Sequence, residues 1–267
     1  MIGNRKVTTI IRAFFQRQHY VALLNMSKLY PRFLENLWRY LTARGEYPYD
    51  ITVRTPVGLV SMRLYSHHDL LTVNEIFCRQ DYSAESSLQH VVDIGSNIGI
   101  SAIYFLTRNN HSTCVLYEPD PKNIPKLDHN LRAFRGRYTI IQAAVSDEAG
   151  HLEFGIEPTG RYGGLGRKTG KSIVVRCIHI NEVIEEVLKS FSHIDILKID
   201  TEGVEIQTVK AIRPKLLKSI SKIYLEAQPL EYIHHKLFDN KQYGSVCQLK
   251  RLAQEATSSD TSSSSYG

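Results

Sequence analysis

Apolar residues gather in five short runs separated by longer amphipathic stretches. The runs are Val91, Val92 and Ile94; Thr113 to Tyr117; Tyr138 to Ala143; Ile194 to Ile199; and Ile220 to Ala227. Between them, residues 100–107, 124–134, 182–189 and 204–212 carry apolar positions at helical spacing. Short apolar strands alternating with amphipathic helices predict an α/β fold, a mostly parallel sheet covered by helices on both faces.

Upstream, two apolar stripes predict helices over 7–20 (Val7, Ile10, Ile11, Phe14, Phe15) and 28–43 (Leu29, Phe33, Leu34, Leu37, Leu41). Residues 51–54 and 59–65 alternate around Pro56-Val57-Gly58, as a hairpin does. A further helix is expected over 69–78, and two β segments over 152–156 and 172–178. After residue 228 the pattern weakens. Residues 246–256 read as helical or irregular, and 229–267 offer no convincing pair of strands. The Ser-rich stretch 257–267 has the composition of a disordered tail.

Charge divides the chain. Residues 1–50 hold eight Lys/Arg against three Asp/Glu, whereas the remainder holds 25 against 24. The basicity therefore belongs to the N-terminal extension, whose basic faces could meet an anionic membrane surface or nucleic acid. A helical cap packed on the domain, basic side to water, is the favoured alternative. No apolar run is long enough to span a bilayer, and polar residues interrupt any leader-like core near the start, so a cytoplasmic location is expected. Cys78, Cys114, Cys177 and Cys247 form no C-x-x-C pair, which argues for reduced thiols and against a zinc site.

Candidate chemistry clusters where the strands end. Asp93-Ile94-Gly95-Ser96-Asn97-Ile98-Gly99 is a strand–turn–helix junction of the pattern D-x-G-x-N-x-G. It lacks the G-x-G-x-x-G of a dinucleotide site. An Asp before the first Gly suits a cationic, polyhydroxylated ligand better than a pyrophosphate, and S-adenosylmethionine has that character. Glu118, ending the next strand before Pro119-Asp120-Pro121, is placed to take ribose hydroxyls. Ala144 follows the third strand and leaves room for an adenine ring, with Asp147 near its edge; Tyr82 lies just before the central strand, within reach of the ligand. The fourth strand ends in Asp200-Thr201-Glu202, and Glu226 ends the fifth. In a parallel sheet these ends share one edge, where ligands bind. The basic, Gly-rich stretch 157–171 is expected at the substrate mouth; its Gly170-Lys171-Ser172 is no P-loop, because Leu165 stands where the first Gly is needed.

Three segments together resemble the FkbM-type methyltransferase family: Val91 to Gly99, Tyr117 to Pro121 and Leu197 to Glu205, with Asn74 to Tyr82 similar to its lead-in. The resemblance covers about residues 51–228. It implies a class I, Rossmann-like, S-adenosylmethionine-dependent methyltransferase, mostly acting on hydroxyls of sugars, glycolipids, polysaccharides or natural products. It implies further that Asp93, Gly95, Asn97 and Gly99 line the methionine end of the donor and Glu118 its ribose. One departure is His179-Ile180-Asn181, where the family has a Leu-Asp-like pair. A second is the apparent lack of the antiparallel hairpin that closes such sheets. The expected organisation is a basic helical extension (1–50), a methyltransferase domain (51–256) with a hairpin lead-in (51–65), and the tail (257–267).

Methyl transfer to an alcohol needs alignment and removal of the hydroxyl proton. Asp200 is the first candidate base, with Glu202 and Glu226 orienting the acceptor or raising the base's pKa. A divalent cation on these three carboxylates is a minor alternative, and His234 or His235 a lesser candidate base; no metal is expected. A nucleic-acid methyltransferase and a cofactor-binding protein without turnover are the rival readings.

Overall fold

Val91 and Val92 point to opposite faces of one strand, as the two-residue period of a β-strand requires. Val91 packs with Phe105, Leu127 and Ile196, and Val92 with Ile184, Leu197 and Leu217. The core therefore lies on both sides of a sheet. The computed structural model describes residues 17–156, 164–165, 171–201, 203–226, 234, 236–243 and 245–252.

Among the described residues two helices come first, α1 (Arg17–Leu29) and α2 (Phe33–Thr42), then a hairpin of β1 (Tyr49–Thr55) and β2 (Gly58–Leu64). Pro31 cannot continue a helix, which is why the predicted helix over 28–43 starts only at Phe33. The helix expected over 7–20 falls largely outside the described residues. Helix α3 (His67–Val73) opens with a capping box between Ser66 and Asp69 and passes into a π-helical turn, Asn74–Arg79.

The main sheet contains β3 (His90–Ile94), β4 (Thr113–Tyr117), β5 (Tyr138–Ile141), β10 (Ile194–Ile199), β11 (Ile220–Glu226), β12 (Phe238–Tyr243) and β13 (Val246–Arg251). Its order is β12-β13-β11-β10-β3-β4-β5, parallel from β11 to β5. The chain reverses its direction of travel between β3 and β10, which makes the carboxyl ends of these two strands the natural ligand crevice. Helices α4 (Ile100–Leu106) and α5 (Ile124–Leu131) cover one face; α6 (Ile180–Ser190), α7 (Glu205–Lys210) and α8 (Pro214–Leu217) cover the other. The fold is that of a Rossmann-like, class I methyltransferase domain.

Two expectations are overturned. The closing hairpin is present: β13 runs antiparallel to both β11 and β12, and residues 246–251 are strand, not helical or irregular. Strand β12 escapes the alternation test because it is an edge strand with only Phe238 buried. The third run also splits. Strand β5 stops at Ile141, and β6 (Ala144–Ser146) joins a second, four-stranded sheet with β7 (Gly150–Gly155), β8 (Gly164–Leu165) and β9 (Ser172–His179). The Ser-rich stretch 257–267 and most of 157–171 lie outside the described residues.

All four cysteines are buried thiols. Asn181 occupies the position where the resemblance departs. Its side chain donates to Ala211 O at 2.9 Å and accepts the Arg213 N–H at 2.9 Å, fastening α6 to the loop before α8.

Candidate active site

The Gly-rich turn is shaped by its own backbone. Gly95 and Ser96 both donate N–H bonds to Tyr117 O, at 2.9 and 3.0 Å, and Asp200 N donates to Ile94 O at 3.1 Å. Gly95, Asn97 and Gly99 have φ of 76°, 48° and 91°, so the turn passes three times through the left-handed region. The two glycines are required by neighbouring protein. A Cβ on Gly95 would sit 1.8 Å from Asp200 O, and one on Gly99 2.8 Å from Leu127 Cδ1.

Glu118 is buried beneath this turn. Its Oε2 accepts the Asn97 N–H at 2.8 Å, and its Oε1 accepts the Asp120 N–H at 2.9 Å and the Asn123 side-chain amide at 3.2 Å. Burial pushes its carboxyl up to about 7, although all three donors act in the opposite direction. Asn123 is a partner that the sequence pattern did not single out.

Asp93 faces inward. It is fully buried, with Oδ1 on Lys198 Nζ at 2.9 Å and Oδ2 on the Ser101 hydroxyl at 2.6 Å. Lys198 also reaches Asp200 Oδ2 at 3.4 Å and Gly95 O at 3.1 Å. Burial lowers the Lys198 pKa, but the charges of Asp93 and Asp200 outweigh it and hold the ammonium above its usual range. One buried cation thus ties the central strand, the Gly-rich turn and the end of β10 together.

A cavity of about 270 Å³ opens along the carboxyl ends of the parallel strands, near the lower end of the roughly 300–1,000 Å³ of small-molecule sites. It brings together Tyr82, Gly95, Ser96, Asn97, Glu118, Ala144, Asp200 and Glu226 from the predicted set. Asp93 and Gly99 do not line it, and Glu202 lies outside the described residues. Asp147 is exposed away from it, and the His234 ring contacts Val209 O at 3.0 Å. Tyr82 is buried with its ring 5.3 Å from that of Tyr224; burial and the nearby Asp200 and Glu226 charges raise its phenol well above the usual value.

Other walls were not foreseen. Asp69, Glu75 and Asp81 come from α3 and the π-helical turn or just after it, Phe154 and Leu165 from the small sheet, and Ser245 and Val246 from the closing hairpin. The capping-box spacing Ser66-x-x-Asp69 marks a helix start but does not announce a cavity, and a π-helical turn has no simple residue signature. Seven carboxylates (Asp69, Glu75, Asp81, Glu118, Asp120, Asp200 and Glu226) and one ammonium (Lys198) line the described cavity. Glu226 is open to water on one side; the surrounding protein and then the Asp200 charge raise its carboxyl, while Ser245 acts in the opposite direction. Among the described residues, no three His, Cys, Asp or Glu side chains converge as a metal site.

A family model, the methyltransferase FkbM domain, matches residues 93–247, more than half of the chain. No curated protein matches it. Among solved structures, the methyltransferase FkbM from Methylobacillus flagellatus KT is 15% identical, with 69% of this chain and 54% of that one covered and a TM-score of 0.43. A Thermus thermophilus 16S rRNA N2 G1207 methyltransferase, in complex with AdoMet and guanosine, is 12% identical, with 76% and 50% covered and a TM-score of 0.41. A putative rRNA methylase from Clostridium thermocellum is 9% identical, with 69% and 96% covered and a TM-score of 0.39. The chain spans about half the length of the first two. The match over the Gly-rich turn, the Glu118 strand end, the Lys198–Glu205 segment and the start of the closing hairpin shows that the chain belongs to the FkbM methyltransferase family.

Proposed function

We propose that the chain transfers a methyl group from S-adenosylmethionine to a hydroxyl of a sugar, glycolipid, polysaccharide or natural product. The observation that carries this reading is the single cavity joining Glu118 to Asp200 and Glu226. The donor set suits the cofactor. Glu118 Oε2 accepts one N–H bond and keeps acceptor capacity for a ribose hydroxyl. The surplus of carboxylates favours a ligand bearing an ammonium and a sulfonium. Tyr82, Gly95, Ser96, Asn97 and Ala144 complete the donor wall, with Asp93 and Gly99 supporting it from behind.

S-adenosylmethionine, when bound, supplies an already activated methyl group. What the chain adds is alignment, which is worth about 7–11 kcal/mol in well-oriented reactions. Asp200, with its Oδ2 held by Lys198, accepts a hydrogen bond from a neighbouring hydroxyl of the acceptor and so fixes the direction of attack. Glu226, whose proton affinity is raised, receives the hydroxyl proton. Glu202, two residues after Asp200 in the sequence, is proposed as a further orienting carboxylate. The acidic lining opposes a phosphate-bearing acceptor, which weakens the nucleic-acid reading.

Calorimetry with S-adenosylmethionine on the wild type and Glu118→Ala tests the donor site. A methyl-transfer screen over glycans and RNA then tests the acceptor class. Loss of binding in the variant and methylation of a hydroxyl acceptor support the proposal. A folded wild type that does not bind, or that methylates only RNA, overturns it.

A further inference from the structure

Helices α1 and α2 are seated on the domain by one set of faces and leave another set uncovered. On the seated side, Met26 and Tyr30 are buried, Asn25 donates to Cys78 O at 2.7 Å, Tyr30 donates to Asn74 Oδ1 at 3.1 Å, and Tyr49 donates to the buried Asn36 at 2.9 Å. The uncovered faces carry large apolar side chains. Tyr20 and Leu24, one helical turn apart on α1, are 51% and 61% exposed; Leu34 and Trp38, one turn apart on α2, are 77% and 58% exposed. Single exposed apolar residues are ordinary, but paired ones on adjoining helices, with Trp and Tyr among them, need a reason.

Charge identifies what covers them. The first 34 residues contain six Lys/Arg and no Asp or Glu. Lys28 is exposed on α1, and Arg32, exposed between the helices, is only loosely paired, 3.7 Å from Glu35. A second copy of this face would bring like charges together. So would the chain's own residues 1–16, whose ionisable side chains are Arg5, Lys6 and Arg12. A surface that is negative and apolar beneath satisfies both demands, and interfacial helices of this composition lie in the headgroup region of anionic bilayers. No helix of the described residues is long and apolar enough to cross a membrane, so the contact is peripheral.

We infer that α1 and α2 dock the protein on an anionic lipid surface, with Tyr20, Leu24, Leu34 and Trp38 entering the interface and the basic residues facing the headgroups.

Trp38 is the only tryptophan in the chain, so its emission reports this face alone. The full-length protein is titrated with phosphatidylcholine vesicles, with and without phosphatidylserine, following Trp emission and co-sedimentation. The expected result is a shift to shorter wavelength and sedimentation with the anionic vesicles only, both weakened by salt. Leu34→Glu, at a position too exposed to support the core, is expected to lower partitioning about tenfold or more. Leu59→Glu on the hairpin, also exposed, leaves it unchanged. Equal binding to neutral vesicles, no binding to either, or a concentration-dependent emission shift without lipid, which would reveal self-association, overturns the inference.

Discussion

Gly95 and Asp200 meet backbone to backbone: a Cβ on Gly95 would lie 1.8 Å from the Asp200 carbonyl oxygen, at a φ of 76° that L side chains rarely adopt. The Gly-rich turn and the end of β10 are therefore one object. Gly95→Ala has no flexible atom to displace, only backbone, and is expected to cost about 4 kcal/mol or more in urea unfolding. Gly99→Ala meets the methyl end of Leu127 and should cost about 1–2 kcal/mol. Equal losses at the two positions would show that the close approach does not hold.

Lys198 neutralises a carboxylate that has no access to water. Lys198→Met leaves Asp93 charged and unpaired, and is expected to destabilise by about 3–5 kcal/mol. Adding Asp93→Asn should recover most of that loss, because the Ser101 hydroxyl bond can persist. Chemical denaturation of the two single variants and the double variant gives the coupling directly.

Glu118 links stability to pH. Its carboxyl stands at about 7 in the folded chain, because burial penalises the charged form, and near 4.3 when unfolded. A raised folded pKa favours the native state fully below about pH 4, and the advantage is lost as pH rises through 7. The shift corresponds to roughly 4 kcal/mol. Glu118→Gln lacks it, so the stability difference between the two proteins should move toward the variant by about that amount between pH 4 and pH 8. S-adenosylmethionine binding should weaken as the pH falls below 7 in the wild type and lose that dependence in Glu118→Gln, as titration calorimetry at several pH values will record.

Glu226 should appear in the rate. Its raised carboxyl must be ionised to take a proton, so kcat falls as pH decreases through a midpoint above the usual Glu value. Glu226→Gln is expected to lose about 10²–10⁴-fold in kcat and to abolish that acid limb, with little change in donor affinity. An unchanged acid limb in the variant would transfer the proton-accepting role to Asp200 or Glu202.

The parallel strands, and the eight predicted residues that line the cavity, were legible because each signal is local. Apolar runs end in a Gly, an Asp or a Glu, and a parallel sheet gathers those ends on one edge. What the spacing hid was direction. Asp93 and Asp200 look alike at strand ends and both reach Lys198, yet only Asp200 also lines the cavity. Gly95 and Gly99 look like room for a ligand, but the room is taken by Asp200 and Leu127. Strand β12 was missed because an edge strand buries one side chain and shows no alternation. The acidic wall from α3 was missed because its contribution depends on how the N-terminal segment folds back.

Val246 stands opposite Glu226 in the register of β11 and β13, so the hairpin completes the sheet and one rim of the cavity together. During translation this hairpin leaves the ribosome after every other strand of the sheet. A message cut short before it would release a polypeptide whose β11 presents a naked row of peptide groups, a ready template for neighbouring chains. Nonsense mutations in this last stretch should therefore yield inclusion bodies and proteolytic clearance rather than a sluggish enzyme.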